Sequence, residues 1–340
     1  MTSWDRSRQV GGFGLRTRRI GSLDVTVVGI GCNNFGRDLD AEATRQIVSA
    51  ALDQGITFFD TADSYGVPKT TSETILGEIL RAHRHEVVIA TKFGRTLDEK
   101  RGGARATYVK SATEASLRRL QTDYIDLLQL HIPDISTPIE ETLSALGELV
   151  AEGKVREIGA SNFSAEDLRL AAKAADAHGL NSFVSTQAEL SLLHRTPAAE
   201  LLDECERLDV KLLPFRPLFN GLLTGRYRTG SLASANGRIG GKSVEARAKI
   251  LSDANLTAVE LLTSYAEARG HSLLELAFSW LLGHLMVPSV IAGVSSDRQV
   301  KSNAAAAAWE LTRAEMAEID LLLQPTTPIH QTISPARSSS

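Results

Sequence analysis

The sequence predicts an α/β chain of the (β/α)8 TIM barrel class, and three observations carry that expectation. Short β-rich runs alternate with longer amphipathic helical patterns from residue 25 almost to residue 310. Eight such runs occur, and none opens with a dinucleotide-binding fingerprint running into a helix, as an open doubly wound sheet would need. A chain of 340 residues has the length of two ordinary domains, yet one barrel uses about 250, so a single unit suffices. That unit is expected over 16–323, with irregular tails at 1–15 and 324–340.

Taken in order, Arg16 to Gly29 holds two β-prone runs about a Gly21-Ser22 turn, a hairpin placed to close the barrel bottom. Barrel strands are expected at Val25–Gly29, Thr57–Asp60, Val87–Lys92, Ile125–His131, Ile158–Ser161, Phe183–Gln187, Lys211–Pro214 and Met286–Ile291. The run 29–36, GIGCNNFG, lacks a third glycine at fingerprint spacing, and the next helix starts only near Asp40. Helices are expected at Ala41–Asp53, Ser72–Leu80, Thr107–Leu120, Glu140–Glu152, Ala165–His178 and Ala198–Leu208. Ser164 with Asp167 has the form of a capping box, Pro138 opens the helix before it, and Gly153 and Gly179 lie just past helix ends. Phe219 to Ser252 is rich in Gly, Ser and Arg with little periodicity, which predicts a long functional loop over the barrel mouth. Ser272 to Val294 is the most membrane-like window, but Glu275, Gly283, His284 and Pro288 interrupt it, so it reads as a buried helix and then a buried strand. Thr312 and Glu315 cap an added C-terminal helix.

Composition narrows the function. Hydrophobic residues make up 43% and charged residues 23%, which excludes fibrous and wholly disordered classes. With 37 basic against 41 acidic residues the net charge is -4, so nothing steers the whole molecule onto nucleic acid or a membrane surface. Cys32 and Cys205 form no disulfide framework and have no zinc spacing, and the N-terminus lacks a signal-peptide core. The expectation is a cytoplasmic protein with no metal and no obligate protein partner.

In a barrel of this type chemistry collects at the carboxyl ends of the strands. The residues there are Asp60, Lys92, His131, Ser161 with Asn162, and Gln187, while Tyr65 follows Asp60 across a segment too short for a helix. Alone, each is as readily a loop cap or a structural ion pair. Together, an acid, a phenol, an amine and an imidazole from adjacent strands predict a proton-transfer centre, with the Lys92 ammonium lowering the pKa of Tyr65 from about 10 and Asp60 holding Lys92 charged.

The sequence resembles the aldo-keto reductase family over residues 16 to 323. The stretches GITFFDTADSYG (55–66), SETILG (72–77), EVVIATKFG (86–94), DYIDLLQLHIPD (123–134), GKVREIGASNFS (153–164) and PLFNGLLTGRY (217–227) carry the resemblance. It implies a catalytic tetrad of Asp60, Tyr65, Lys92 and His131 that passes hydride from NAD(P)H to a small aldehyde, ketone or sugar. It implies cofactor contacts from Gly31, Cys32, Asn33, Asp60, Ser161, Asn162 and Gln187, with Phe215 stacking on the nicotinamide. A phosphate and adenosine clamp falls on Arg216, Leu218, Gly293, Ser295, Gln299 and Asn303. Arg216 stands where a small serine is usual, positioned to reach a phosphate or reshape the rim, and Ser302 replaces the usual glutamate. Arg298 and Lys301 tilt the expectation to NADP(H), with NAD(H) open.

Two other readings stand beside it: a slow or regulatory NADP(H)-binding scaffold, and a Schiff-base aldolase using Lys92. For the substrate, Phe35, Phe163, Phe219 and Tyr227 are separate wall candidates rather than a cluster. This favours a small polar or mildly aromatic aldehyde, with Arg216 or Arg105 available to an anionic substituent. The Gly-rich loop 93–105 is expected to close over the mouth.

Overall fold

The computed structural model describes residues 15–227 and 239–324. A hairpin of β1 (Thr17–Ile20) and β2 (Leu23–Thr26) precedes eight barrel strands. These are β3 (Val28–Gly31), β4 (Phe58–Asp60), β5 (Val88–Phe93), β6 (Ile125–Leu130), β7 (Val155–Ser161), β8 (Ser185–Glu189), β9 (Lys211–Phe215) and β10 (Val290–Gly293). They form one parallel sheet in the order β10-β3-β4-β5-β6-β7-β8-β9. Its two edges meet where Leu212 N donates to Met286 O at 2.7 Å.

Helices α1 (Ala41–Asp53), α2 (Thr71–Leu80), α3 (Ala106–Leu120), α4 (Ile139–Ala151), α5 (Ala165–His178) and α6 (Thr196–Leu208) each follow one strand. After β9 come α7 (Val244–Ile250), α8 (Asp253–Glu267) and α9 (Leu273–Gly283), and after β10 come α10 (Asp297–Ala306) and α11 (Arg313–Leu322). Helix α10 packs on both α9 and α1, which carries the outer layer past the first strand. Capping boxes form at Ser164 with Asp167, Ser272 with Glu275 and Thr312 with Glu315.

Alternation along the strands sorts the barrel interior into two ends. Phe58 and Asp60, Ala90 and Lys92, and Leu127 and Gln129 are each two residues apart, so each pair shares the inward face, apolar first and polar at the carboxyl end. At the apolar end the hairpin, turning on Gly21 and Ser22 with Ile20 paired to Leu23, inserts Ile20, Leu23 and Val25 among Phe58, Ala90, Leu127, Leu213 and Ile291. Each buried side chain of that size contributes about 1.5–3 kcal/mol, so this plug outweighs any surface ion pair. Gly29 makes room for it: a Cβ there would lie 2.8 Å from Phe58 Cδ1.

Three expected elements differ. The run Val25–Gly29 is not one strand, because Thr26 Oγ1 donates to Val28 O and accepts from Thr57 N, which breaks the ladder between hairpin and barrel. The last barrel strand is Val290–Gly293 rather than Met286–Ile291, since Met286 gives its carbonyl to β9. Within the expected loop Phe219–Ser252, Phe219–Thr224 is a 3-10 turn and Val244–Ile250 is helix, while 228–238 lies outside the described residues. Helix α8 was not expected, although Val259, Leu262 and Ala266 recur at helical spacing on its buried face. The tails fall almost wholly outside the described residues.

Candidate active site

The polar end of the interior centres on Asp60, at the tip of β4 and 3% exposed, and Lys92, from β5 and 0% exposed. Lys92 Nζ donates to Asp60 Oδ2 at 2.6 Å and to Thr61 O at 2.9 Å. The other carboxylate oxygen, Oδ1, accepts from Gln129 Nε2 at 3.2 Å and Gln187 Nε2 at 3.0 Å. A charge this deep persists only when paired and hydrogen-bonded, and both conditions are met. Burial pulls the Lys92 pKa down, but Asp60 and Tyr65 outweigh it and the net shift is upward. An ammonium so held is a poor Schiff-base nucleophile, which removes the ground for the aldolase alternative.

Tyr65 is half-buried, its ring centre 5.1 Å from Lys92 Nζ and 5.8 Å from the His131 ring, edge-on at 81°. The expected lowering of its pKa is not the net result. Burial raises it, Lys92 works in the opposite direction, and burial wins. The phenol is therefore protonated at neutral pH. His131 is pushed down to about 2, first by burial and then by the charges of Lys92 and Arg95, so it is a neutral imidazole. Its Nδ1 lies 3.4 Å from Ser64 Oγ, and its backbone carbonyl accepts from Asn162 Nδ2 at 2.9 Å.

The remaining expected positions surround this cluster. Gly31 ends β3 in register with Asp60 on one side and Gly293 on the other. Cys32 is fully buried, its amide donating to Asp60 O and its carbonyl accepting from Ser72 Oγ, and burial raises its thiol well above the usual range. It is a wall residue, and Asn33 is half-buried beside it. Ser161 is buried at the end of β7, and Asn162 beside it takes φ 60°. The Asn162 and Gln187 amide nitrogens are engaged by His131 O and Asp60, which leaves their oxygens to the mouth. Phe215, the last residue of β9, and Leu218 just beyond it are half-buried.

Other expected positions lie at the corner between β10 and α10. Ser296 caps α10, Gly293 and Ser295 are exposed, and Gln299 Oε1 accepts from Ser295 N at 2.7 Å, which leaves its amide nitrogen outward. Arg298 is exposed in the first turn, whereas Lys301 pairs with Asp297. Asn303 is 4% exposed, one turn below Gln299.

Arg216, held at φ 51°, pairs with Glu189 at 2.8 Å on the exposed rim. Two expectations need correction. Phe35 is 0% exposed, and Phe163 packs edge-on against Phe183, so both are core and neither is pocket wall. The segment 93–105 is no loose lid: Gly103 N bonds Gly94 O, Leu97 N bonds Arg101 O, and Asp134 Oδ2 accepts from Ala104 N. Sequence reading passed over Gln129, Ser64, Arg95 and Asp63. Gln129 was legible as the inward polar residue two before His131; the others became visible only through tertiary contacts. No metal-binding group of residues and no helix long and apolar enough to cross a membrane occur among the described residues.

An acid, an amine, a protonated phenol and a neutral imidazole thus gather at the strand ends of a (β/α)8 barrel. Residues 27–324 match the model of the aldo/keto reductase family, and the chain belongs to that family. It is 35% identical over 298 residues to the L-glyceraldehyde 3-phosphate reductase of Escherichia coli K12, covering 85% of this chain and 86% of that protein. It is 31% identical over 312 residues to probable aldo-keto reductase 1 of Glycine max, covering 87% and 85%. A probable voltage-gated potassium channel subunit beta from Arabidopsis thaliana is 33% identical over 277 residues, covering 79% and 83%. The chain is accordingly an NAD(P)H-dependent oxidoreductase of the aldo/keto reductase type.

Proposed function

We propose that the protein is an NADP(H)-preferring reductase of small aldehydes, with Tyr65 as the acid and base of the reaction. The observation that carries this reading is the cluster itself: a protonated Tyr65 flanked by the Lys92 ammonium and the neutral His131 ring. The bound nicotinamide supplies the hydride, which is the difficult electron step. Tyr65 gives its proton to the carbonyl oxygen as negative charge develops there, and Lys92 stabilises the phenolate left behind. Asp60, fixed by Gln129 and Gln187, keeps Lys92 charged and aimed. His131 contributes a neutral ring that orients the carbonyl without competing for the proton, and Asn162 holds its backbone in place.

The residues present fit a dinucleotide. Gly31, Cys32 and Asn33 line one side, with no side chain at Gly31, where a Cβ would crowd Ile291 at 3.3 Å. Asn162 and Gln187 would hold the carboxamide through their side-chain oxygens, Ser161, whose Oγ accepts from Asn162 Nδ2 at 3.0 Å, would donate its hydroxyl, and Phe215 would give the ring a π-face. Leu218, Gly293, Ser295, Gln299, Arg298 and the N-terminus of α10 would take the phosphates, with Asn303 supporting from below. Arg298 is the cation available to a 2'-phosphate, since Lys301 is matched by Asp297. The E. coli relative, named for reduction of a small phosphorylated aldehyde, supports the same substrate size.

The test is loss of NADPH absorbance at 340 nm across a panel of aldehydes, ketones and sugars. Small aldehydes are expected to turn over, and Tyr65→Phe to lose roughly 100-fold or more in turnover with cofactor binding retained. Unimpaired reduction by that variant would move proton transfer to another group.

A further inference from the structure

Arg95 opens the loop after β5, and its place is set from both sides. His131 N donates to Phe93 O at 2.8 Å. Gly94 follows at φ +104°, where a Cβ would lie 2.8 Å from Leu130 Cδ1 and 3.9 Å from His131 N, so only glycine lets the chain pass this close to β6. Beyond Arg95, Lys69 from the loop that carries Tyr65 donates its ammonium to Thr96 O and Leu97 O, both at 2.9 Å. Arg95 is thereby strung between the strand end of His131 and the loop of Tyr65. Its charge acts on both rings, lowering the pKa of each.

Several other cations are paired with carboxylates, whereas Lys100 and Arg105 farther along the same loop are not, among the described residues. Arg37 pairs with Asp38, Arg101 with Asp98, Arg216 with Glu189 and Lys92 with Asp60. Arg95 is exposed and, among the described residues, has no carboxylate in ion-pair contact. One unpaired positive charge, that of Arg95, thus stands beside the reacting centre of a chain whose net charge is -4. A guanidinium presents a planar fork of donors that matches a carboxylate or a phosphate.

We propose that Arg95 is a specificity residue that seats the carboxylate or phosphate of a small anionic aldehyde whose carbonyl lies at Tyr65 and His131, with Lys69 anchoring the backbone that follows Arg95. The proposal rests on the reductase reading and names the substrate class for the same site.

Two substrate pairs test it: 4-carboxybenzaldehyde against methyl 4-formylbenzoate, and glyceraldehyde 3-phosphate against glyceraldehyde. In the native protein kcat/KM should favour the anionic member of at least one pair, and which pair does so separates carboxylate from phosphate recognition. Arg95→Met should lower that preference roughly tenfold to a hundredfold, mainly through KM, and Arg95→Lys should keep part of it. The ratio within a pair is the readout, because losing the guanidinium alters the field at Tyr65 and His131 for every aldehyde. No anionic preference in the native protein, or one unchanged in Arg95→Met, overturns the proposal. Turnover of methyl 4-formylbenzoate reports on the reductase reading separately. Should that turnover be absent, calorimetric titration of 4-carboxybenzaldehyde and of glyceraldehyde 3-phosphate into the native protein and Arg95→Met still decides the anion seat. Weaker binding of either aldehyde by the variant sustains it, and equal binding of both overturns it.

Discussion

Replacing Lys92 by Met takes the ammonium out of a cluster sealed from water and leaves the Asp60 carboxylate with only the two amides of Gln129 and Gln187. Both partners of the ion pair are buried, at 0% and 4% side-chain exposure, so solvent screening does not soften the loss. Breaking such a pair from one side costs about 3–5 kcal/mol. A barrel of this size should then melt roughly 4–7 °C lower by differential scanning calorimetry. Turnover should also fall by about 100-fold or more, because Tyr65 loses the charge that opposes its burial. Asp60→Asn combined with Lys92→Met separates the two effects. Removing the stranded carboxylate should make the double variant more stable than the sum of the single losses implies, while activity stays low. An Lys92→Met protein that melts with the parent, or strictly additive losses in the double variant, would refute this account of the pair.

Two further outcomes follow from the structure. Asp63, 1% exposed, has its pKa raised from 3.8 to about 8, by burial first and then by Glu73, against the opposing effects of Arg119, the Ser64 backbone amide and Lys92. The folded chain binds that proton more tightly than the unfolded one, so this stability is fully present below 3.8 and is lost as pH rises through about 8. Urea unfolding should show that decline, and Asp63→Asn should flatten it. At the β10–α10 corner, Gln299→Glu removes an outward amide donor and adds negative charge. Fluorescence titration should show it weakening NADPH more than NADH, with Ser295→Ala milder in the same direction. Equal losses for both cofactors would contradict the phosphate assignment.

Local chemistry by itself determined the order of strands and helices, the capped starts at Ser164 and Thr312, and the two-residue turn at Gly21 and Ser22. These depend on residues a few positions apart, so the signal is complete within a short window. It also determined the polar residues Asp60 and Lys92 near the strand ends, because period-two alternation puts them on the inward face. Only the tertiary structure decided where the first barrel strand begins, since the Thr26 side chain breaks the ladder through a contact with Thr57. Fate on the rim was settled in the same way. Arg216 and Arg95 look alike in sequence, yet Glu189, 27 residues away, neutralises one, while the Gly94 bend and Lys69 hold the other beside His131 unmatched. The protonation of Tyr65 was decided there too. Spacing predicts a cation near the phenol, but the sign of the shift depends on how much water the closed barrel excludes, and that is a property of the whole fold.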